Sequence, residues 1–170
     1  MLAIRYYAMG SILAISISKH KGVKKSAVGG ANFIAGHGIE GDAHAGPGIR
    51  QVSLLAVESI NKMIEKGLAV GPGDFAENIT TKGTDLLKLK IGDRVHLGLS
   101  TELEITQIGK VCHERCAIYY QAGDCVMPRE GVFAKVIRGG VVKCGDCVSL
   151  RAPKGRGNLL KSSNLAHTNL

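Results

Sequence analysis

The apolar positions of this chain fall in short runs broken by glycine, and most runs are too brief for helices. Candidate strands are Ile12–Ser18, Gly22–Val28, Gln51–Val57, Val95–Leu99, Glu102–Ile108, Val132–Ile137 and Val148–Arg151. The clearest alternation is Thr101–Gln107, where Leu103 and Ile105 point one way and Glu102, Glu104 and Thr106 the other. That is the pattern of a half-buried antiparallel strand. In Ile12–Ser18, strict alternation sets Ile12, Ala14 and Ser16 on one face and Leu13, Ile15 and Ile17 on the other.

One helix is predicted over Val57–Lys66, with Val57, Ile60, Met63 and Ile64 as an apolar stripe and Gly67 placed for a left-handed C-terminal cap. A second short helix is predicted after Cys112. The octets Lys90–Leu97 and Lys143–Leu150 share the pattern K-x-G-D-x-V-x-L. In each, Gly-Asp should turn the chain into a strand whose Val and Leu share a face. The expected architecture is one mainly β, barrel-like domain with one or two short helices. Its bounds are 12–151, with a basic segment 1–11 and a basic tail 152–170 set outside it. The first eight residues and 162–170 fit no element and are candidates for non-native sequence.

Composition narrows the class. The chain has 170 residues, 45% of them hydrophobic, which excludes a disordered chain and suits one domain. Twenty-three glycines, seven aromatics and no Trp argue for many turns and against a helical bundle. The net charge of +8 raises the question of a nucleic-acid partner. Its distribution argues against one. Residues 1–28 hold five basic groups and no acid, 151–170 hold four and no acid, and 29–150 hold 13 basic against 14 acidic. Tyr6–Ser18 has the outline of a signal peptide, but Gly10, Ser11, Ser16 and Ser18 interrupt it, and it is too short to span a bilayer. Five cysteines, all after residue 111, do not suit a secreted disulfide frame. A cytoplasmic protein with reduced thiols and no membrane partner is expected.

Three stretches could carry chemistry. Gly36–Gln51 gathers two histidines, two acids and Arg50 among glycines, among them Gly41, Asp42 and His44. Such a stretch is either a surface loop rich in turns or a backbone shaped to approach an anion. Gln107–Cys116 places Cys112 between Lys110 and Arg115 with His113 adjacent. Positive neighbours raise the thiolate fraction, as a nucleophile or metal ligand requires. Met127–Arg138 offers Arg129, Lys135 and Arg138 as phosphate donors, with an ordinary solvated edge as the alternative for Lys135 and Arg138. Zinc is an alternative, with Cys112, Cys116, Cys144 and Cys147 as four thiols. The octet pattern places Cys144 at the position of Ile91, expected inside, and Cys147 at that of Arg94, expected outside, so the second pair should diverge.

Six segments together resemble the MOSC domain family, named after the C-terminal region of molybdenum-cofactor sulfurases. They are Gly38–Gly46, Arg50–Leu55, Gly73–Thr81, Lys90–Arg94, Leu103–Gln107 with Cys112, and Pro128–Phe133, in family order. The resemblance implies a β-rich barrel and a site built on one cysteine, matched by Cys112, that carries sulfur or ligates molybdenum, with His113 beside it. It further implies that Gly41, Asp42, His44, Arg50, Asn78, Lys110, Arg129 and Lys135 line an anionic pterin phosphate. The implied cofactor is molybdenum cofactor (molybdopterin). The implied partners are other cofactor-biosynthesis proteins or molybdoenzymes. Pyridoxal phosphate binding is associated only with the family as a whole. The Cys-His, second Cys and Gly-Asp-Cys125 variant resembles a compact bacterial subgroup linked to cofactor biosynthesis. A sulfur carrier or transferase is the implied activity; an adaptor with structural zinc is the alternative.

Overall fold

The computed structural model describes residues 6–112 and 115–151. The tail 152–170 lies outside the described residues. The strands are β1 (Tyr6–Ile17), β2 (Ser26–Val28), β3 (Gly30–Ile34), β4 (Gly38–Ile39), β5 (Val52–Ala56), β6 (Ile79–Lys82), β7 (Arg94–Leu97), β8 (Thr101–Ile108), β9 (Val132–Arg138), β10 (Gly140–Lys143) and β11 (Cys147–Arg151). Among the described residues the α-helices are three short ones, α1 (Val57–Glu65), α2 (Ala117–Ala122) and α3 (Met127–Glu130).

Seven strands close a barrel in the order β11-β7-β8-β9-β5-β6-β1, and β1 returns to pair with β11. Strand β1 begins at Tyr6, ahead of the boundary expected at residue 12, and its first half pairs with β11. Its second half pairs with β6 and β2. Among the described strands only β5 and β6 run parallel, with α1 in the crossover between them. A separate sheet, β10-β3-β4, lies beside the barrel.

The alternation in β8 is as expected: Leu103 and Ile105 are fully buried and Glu102, Glu104 and Thr106 half-buried. In β1 the strict alternation fails. The register with β6 slips between Ile12 and Ala14, so Leu13 bulges outward and is 42% exposed while Ile12 and Ile15 both enter the core. In α1, Ile60 and Met63 are buried, Gly67 has φ +91° as expected, but Ile64 faces solvent.

The repeated octet forms two like corners. Asp93 N–H bonds Lys90 O at 3.1 Å and Asp146 N–H bonds Lys143 O at 3.1 Å. In each, the Asp carboxylate accepts the Lys backbone N–H at 2.8 Å. Gly92 and Gly145 take φ +93° and +89°, a region open to glycine at little steric cost. The corners feed neighbouring antiparallel strands, where Val148 registers with Leu97 and Leu150 with Val95. Ile91 is 70% exposed, not inside, because it rides on the turn before the strand begins.

Two apolar clusters result. One fills the barrel with Ile12, Ile15, Val52, Leu54, Val95, Leu103 and others. The second lies outside the barrel wall, where Leu55 and Phe133 meet Ile60, Met63, Leu68, Phe75, Ile118 and Met127 under the helices. Lys62 of α1 and Lys66 just beyond it bridge to Glu130 at 2.7 Å and Asp124 at 2.8 Å, tying α1 to the α3 region.

Candidate anion-binding site

Because the lumen is packed with side chains, the site lies on the outer face of the barrel wall. Alternation along β5 sends Leu54 inward and Ser53 outward; in β9, Phe133 points outward and registers with Ser53. Asn78, just ahead of β6, donates from Nδ2 to Ser16 O at 3.1 Å, and its Oδ1 accepts the Ser53 N–H at 3.1 Å. Ser53 Oγ lies 3.1 Å from both Asn78 Oδ1 and Asn78 N. Above this floor opens a cavity of about 560 Å³ lined also by Lys21, His44, Gly46, Gly48, Arg50 and Lys110. Among the described residues the lining contains three cations and no carboxylate.

Arg50 extends over the Phe133 ring, its guanidinium carbon 5.9 Å from the centroid, a cation–π contact that leaves its donor fork open. Among the described residues neither Arg50, Lys21 nor Lys110 forms an ion pair. Lys110 is placed by Gly109. That glycine has φ +72°, and a Cβ on it would stand 2.2 Å from Pro128 O. A Gly109→Ala protein is expected to lose at least about 2 kcal/mol of stability, read from urea unfolding, and to weaken anion binding as Lys110 shifts.

Beneath His44 lies a fully buried ion pair, Lys25 Nζ to Asp42 Oδ1 at 2.5 Å. Burial pushes the Asp42 carboxyl up. The Lys25 ammonium and the Ser18 and His44 amides more than offset this and hold it well below the ordinary carboxylate range. The loop from Gly73 to Asn78 braces the same region. Gly73 N–H bonds Glu77 Oε1 at 2.6 Å, and Lys25 N–H bonds Gly73 O at 2.9 Å.

Of the residues expected at the site, His44, Arg50, Asn78 and Lys110 line the cavity. Asp42 supports it from below and Gly41, at φ +79°, turns the chain into it without lining it. Arg129 and Lys135 do not belong to it. Arg129 is engaged by Asp124 through two bonds, at 3.0 and 2.8 Å. Lys135 shares the outward face with Phe133, but lies 3.8 Å from Glu104 in a charged network with Arg94. Cys112 is exposed, two residues beyond Lys110. His113 lies outside the described residues.

All five cysteines are free thiols. Burial pushes the Cys125 thiol up; the Met127 amide partly offsets this, and nearby Cys116 and Cys112 add to it. Among the described residues no three His, Cys, Asp or Glu side chains are arranged to hold a metal. The zinc set of Cys112, Cys116, Cys144 and Cys147 therefore does not assemble. Cys144 is exposed on its turn, its thiol against Val28 O at 3.5 Å, and not inside as the octet pattern suggested.

Lys21, Lys25, Ser53 and Phe133 are site residues that sequence reading did not assign. No local signal marks Lys25: the strand expected over Gly22–Val28 starts only at Ser26, and Val23 and Ala27 are exposed. Among the described residues no helix is long and apolar enough to cross a membrane.

Comparisons with known proteins bear on this architecture. Comparison with curated protein sequences gives no match. The YuaD protein of Bacillus subtilis has a similar crystal structure, with TM-score 0.72 and 20% identity over 88% of this chain and 100% of that one. YiiM from Escherichia coli is similar at TM-score 0.60 and 18% identity, covering 88% and 71% of the two chains. YiiM from Geobacillus stearothermophilus gives 0.61 and 18%, covering 88% and 77%. At such identities these likenesses speak for the barrel alone. The family model for the MOSC domain matches residues 40–149, which include His44, Arg50, Asn78, Lys110 and Cys112, so this chain belongs to the MOSC domain family.

Proposed function

We propose that this protein binds molybdenum cofactor, or a precursor of it, in the cationic cavity and handles its sulfur or metal at Cys112. The family is associated with functions related to that cofactor, and the observation that supports the finer reading is the lining itself. Lys21, Arg50 and Lys110 converge with His44 around one volume with no opposing carboxylate among the described residues, which suits the anionic phosphate of a pterin. These four residues would hold the phosphate end. Cys112, exposed at the end of the segment that carries Lys110, would supply a soft thiolate. When bound, the cofactor supplies a sulfur-ligated molybdenum. The protein's part is to neutralise the phosphate, orient the ligand and present one thiol. Exchange partners would be proteins of cofactor biosynthesis or molybdoenzymes, in the cytoplasm.

The test is purification of the full chain from a molybdenum-replete host, with pterin and molybdenum quantified and Cys112 examined by mass spectrometry for an added sulfur atom. Wild-type protein should carry pterin and molybdenum together, and Cys112→Ala should lose the molybdenum or the sulfur adduct. Unchanged loading in Cys112→Ala would remove that residue from the mechanism. A wild-type protein that carries no pterin would overturn the reading.

A further inference from the structure

Three acceptors surround the buried Lys25 ammonium. They are Asp42 Oδ1 at 2.5 Å, Ser18 Oγ at 3.2 Å and His44 Nδ1 at 3.1 Å. An ammonium carries three protons and no lone pair. Ser18 spends its own hydroxyl proton on His20 O at 2.9 Å, so its oxygen is free to accept from Lys25. The remaining Lys25 proton meets Nδ1 of His44, which must then present its lone pair. Asp42 completes the grip, since its Oδ2 accepts the His44 backbone N–H at 3.0 Å. With Nδ1 turned to the buried pair, the ring's other nitrogen is the one left for the cavity that His44 lines.

We propose that Lys25 is a positioning residue that fixes His44 as a neutral imidazole with its proton on Nε2, aimed as a hydrogen-bond donor at an oxyanion bound in the cavity. The inference rests on the anion-binding reading above and deepens it. The cavity then recognises its ligand with three permanent cations and one neutral donor. His44 need not gain a proton for the anion to bind, because the ammonium beneath it already occupies Nδ1. Lys25 acts only through His44; it is fully buried and cannot touch the ligand. Asp42 keeps the ammonium charged in that buried setting and aligns the His44 backbone. In chain order the group draws on Ser18 at the end of β1, Lys25 just before β2, and Asp42 and His44 in the loop after β4.

The experiment is two-bond 15N–1H correlation of the histidine rings in the labelled full-length wild type near neutral pH, with His44 assigned by its loss in His44→Gln. Inorganic phosphate is then added as the probe. The expected result is a neutral His44 ring protonated at Nε2, whose Nε2 signal moves as phosphate saturates. Lys25→Met should erase the tautomer preference and weaken phosphate binding about tenfold, the scale of one lost charge-assisted bond. His44→Leu should weaken it similarly, with His44→Gln, which keeps a neutral N–H, recovering most of the affinity. A ring protonated at Nδ1, or an imidazolium, overturns the proposal, and the wild-type spectrum decides this even if Lys25→Met fails to fold. Phosphate that binds without moving His44 overturns the donor role while leaving the cavity an anion site. If phosphate does not bind at all, the anion-binding reading fails and the donor role with it, and an intact Nε2–H signature leaves standing only the positioning of His44 by Lys25.

Discussion

A Lys25→Met protein is expected to unfold in urea with a loss of about 3–5 kcal/mol, the scale for truncating one partner of a buried ion pair. Methionine fills a similar volume, so the loss is electrostatic: Asp42 stays buried with its counter-charge gone. Asp42→Asn should be comparably damaging, because it strands the ammonium instead. The double variant Lys25→Met with Asp42→Leu removes both charges and should recover much of the stability, giving a large coupling in a double-mutant cycle. Two single losses that simply add would show that the pair is not a unit.

Acid dependence follows from the same pair. Asp42 ionises more readily folded than unfolded, so its contribution is complete above its ordinary value of 3.8 and drains away as pH falls from there toward the depressed folded value. The wild-type urea midpoint should fall below about pH 4. It should fall less steeply in Lys25→Met, where the carboxyl has lost its main counter-charge. A pH-independent midpoint across that range would contradict the depressed carboxyl.

Reversal of charge at Arg50 should do the most damage to binding with the least damage to the fold. Arg50 is exposed at the cavity, leans on Phe133 and has no carboxylate partner among the described residues, so its removal strands nothing. Loss of one charge-assisted bond corresponds to roughly ten- to a hundredfold in affinity, and a carboxylate facing the anion adds repulsion. Arg50→Glu is therefore expected to weaken inorganic phosphate binding by at least about a hundredfold, with pterin lost on purification and the urea midpoint nearly unchanged. Arg129→Gln is the control. Its partner is Asp124, away from the cavity, and phosphate affinity should stay within about twofold of wild type. If Arg129→Gln proved the more damaging of the two, the ligand would lie elsewhere on the barrel.

The strands were legible where alternation is local. The faces of β8 follow from residue spacing alone, and the two Gly-Asp corners from a shared eight-residue pattern, because backbone period and turn chemistry are set by near neighbours. Strands β3, β4, β6 and β10 went unassigned: three are glycine-led, one of these only two residues long, and β6 reads Ile-Thr-Thr-Lys with little apolar contrast. The slip in β1 was equally invisible, since a bulge is dictated by the partner strands that β1 must serve.

The site divides along the same line. His44, Arg50, Asn78 and Lys110 could be named from motifs, yet nothing in their spacing says that they meet. They meet because β5, β6, β8 and β9 are brought to one stretch of barrel wall. Arg129 and Lys135 carry the same chemistry in the sequence and are excluded only by Asp124 and Glu104 reaching them first in space. Lys25 shows the limit most clearly. Read along the chain, it is one of five basic residues in an N-terminal stretch without acids. In the folded protein it is buried against Asp42, seventeen positions away. Which charges are solvated, paired or left free for a ligand depends on distances of a few ångströms between segments far apart in the chain. Composition and periodicity specify the strands and the excess of positive charge; closure of the barrel selects the three cations that stay open to an anion and the one that is buried beneath it.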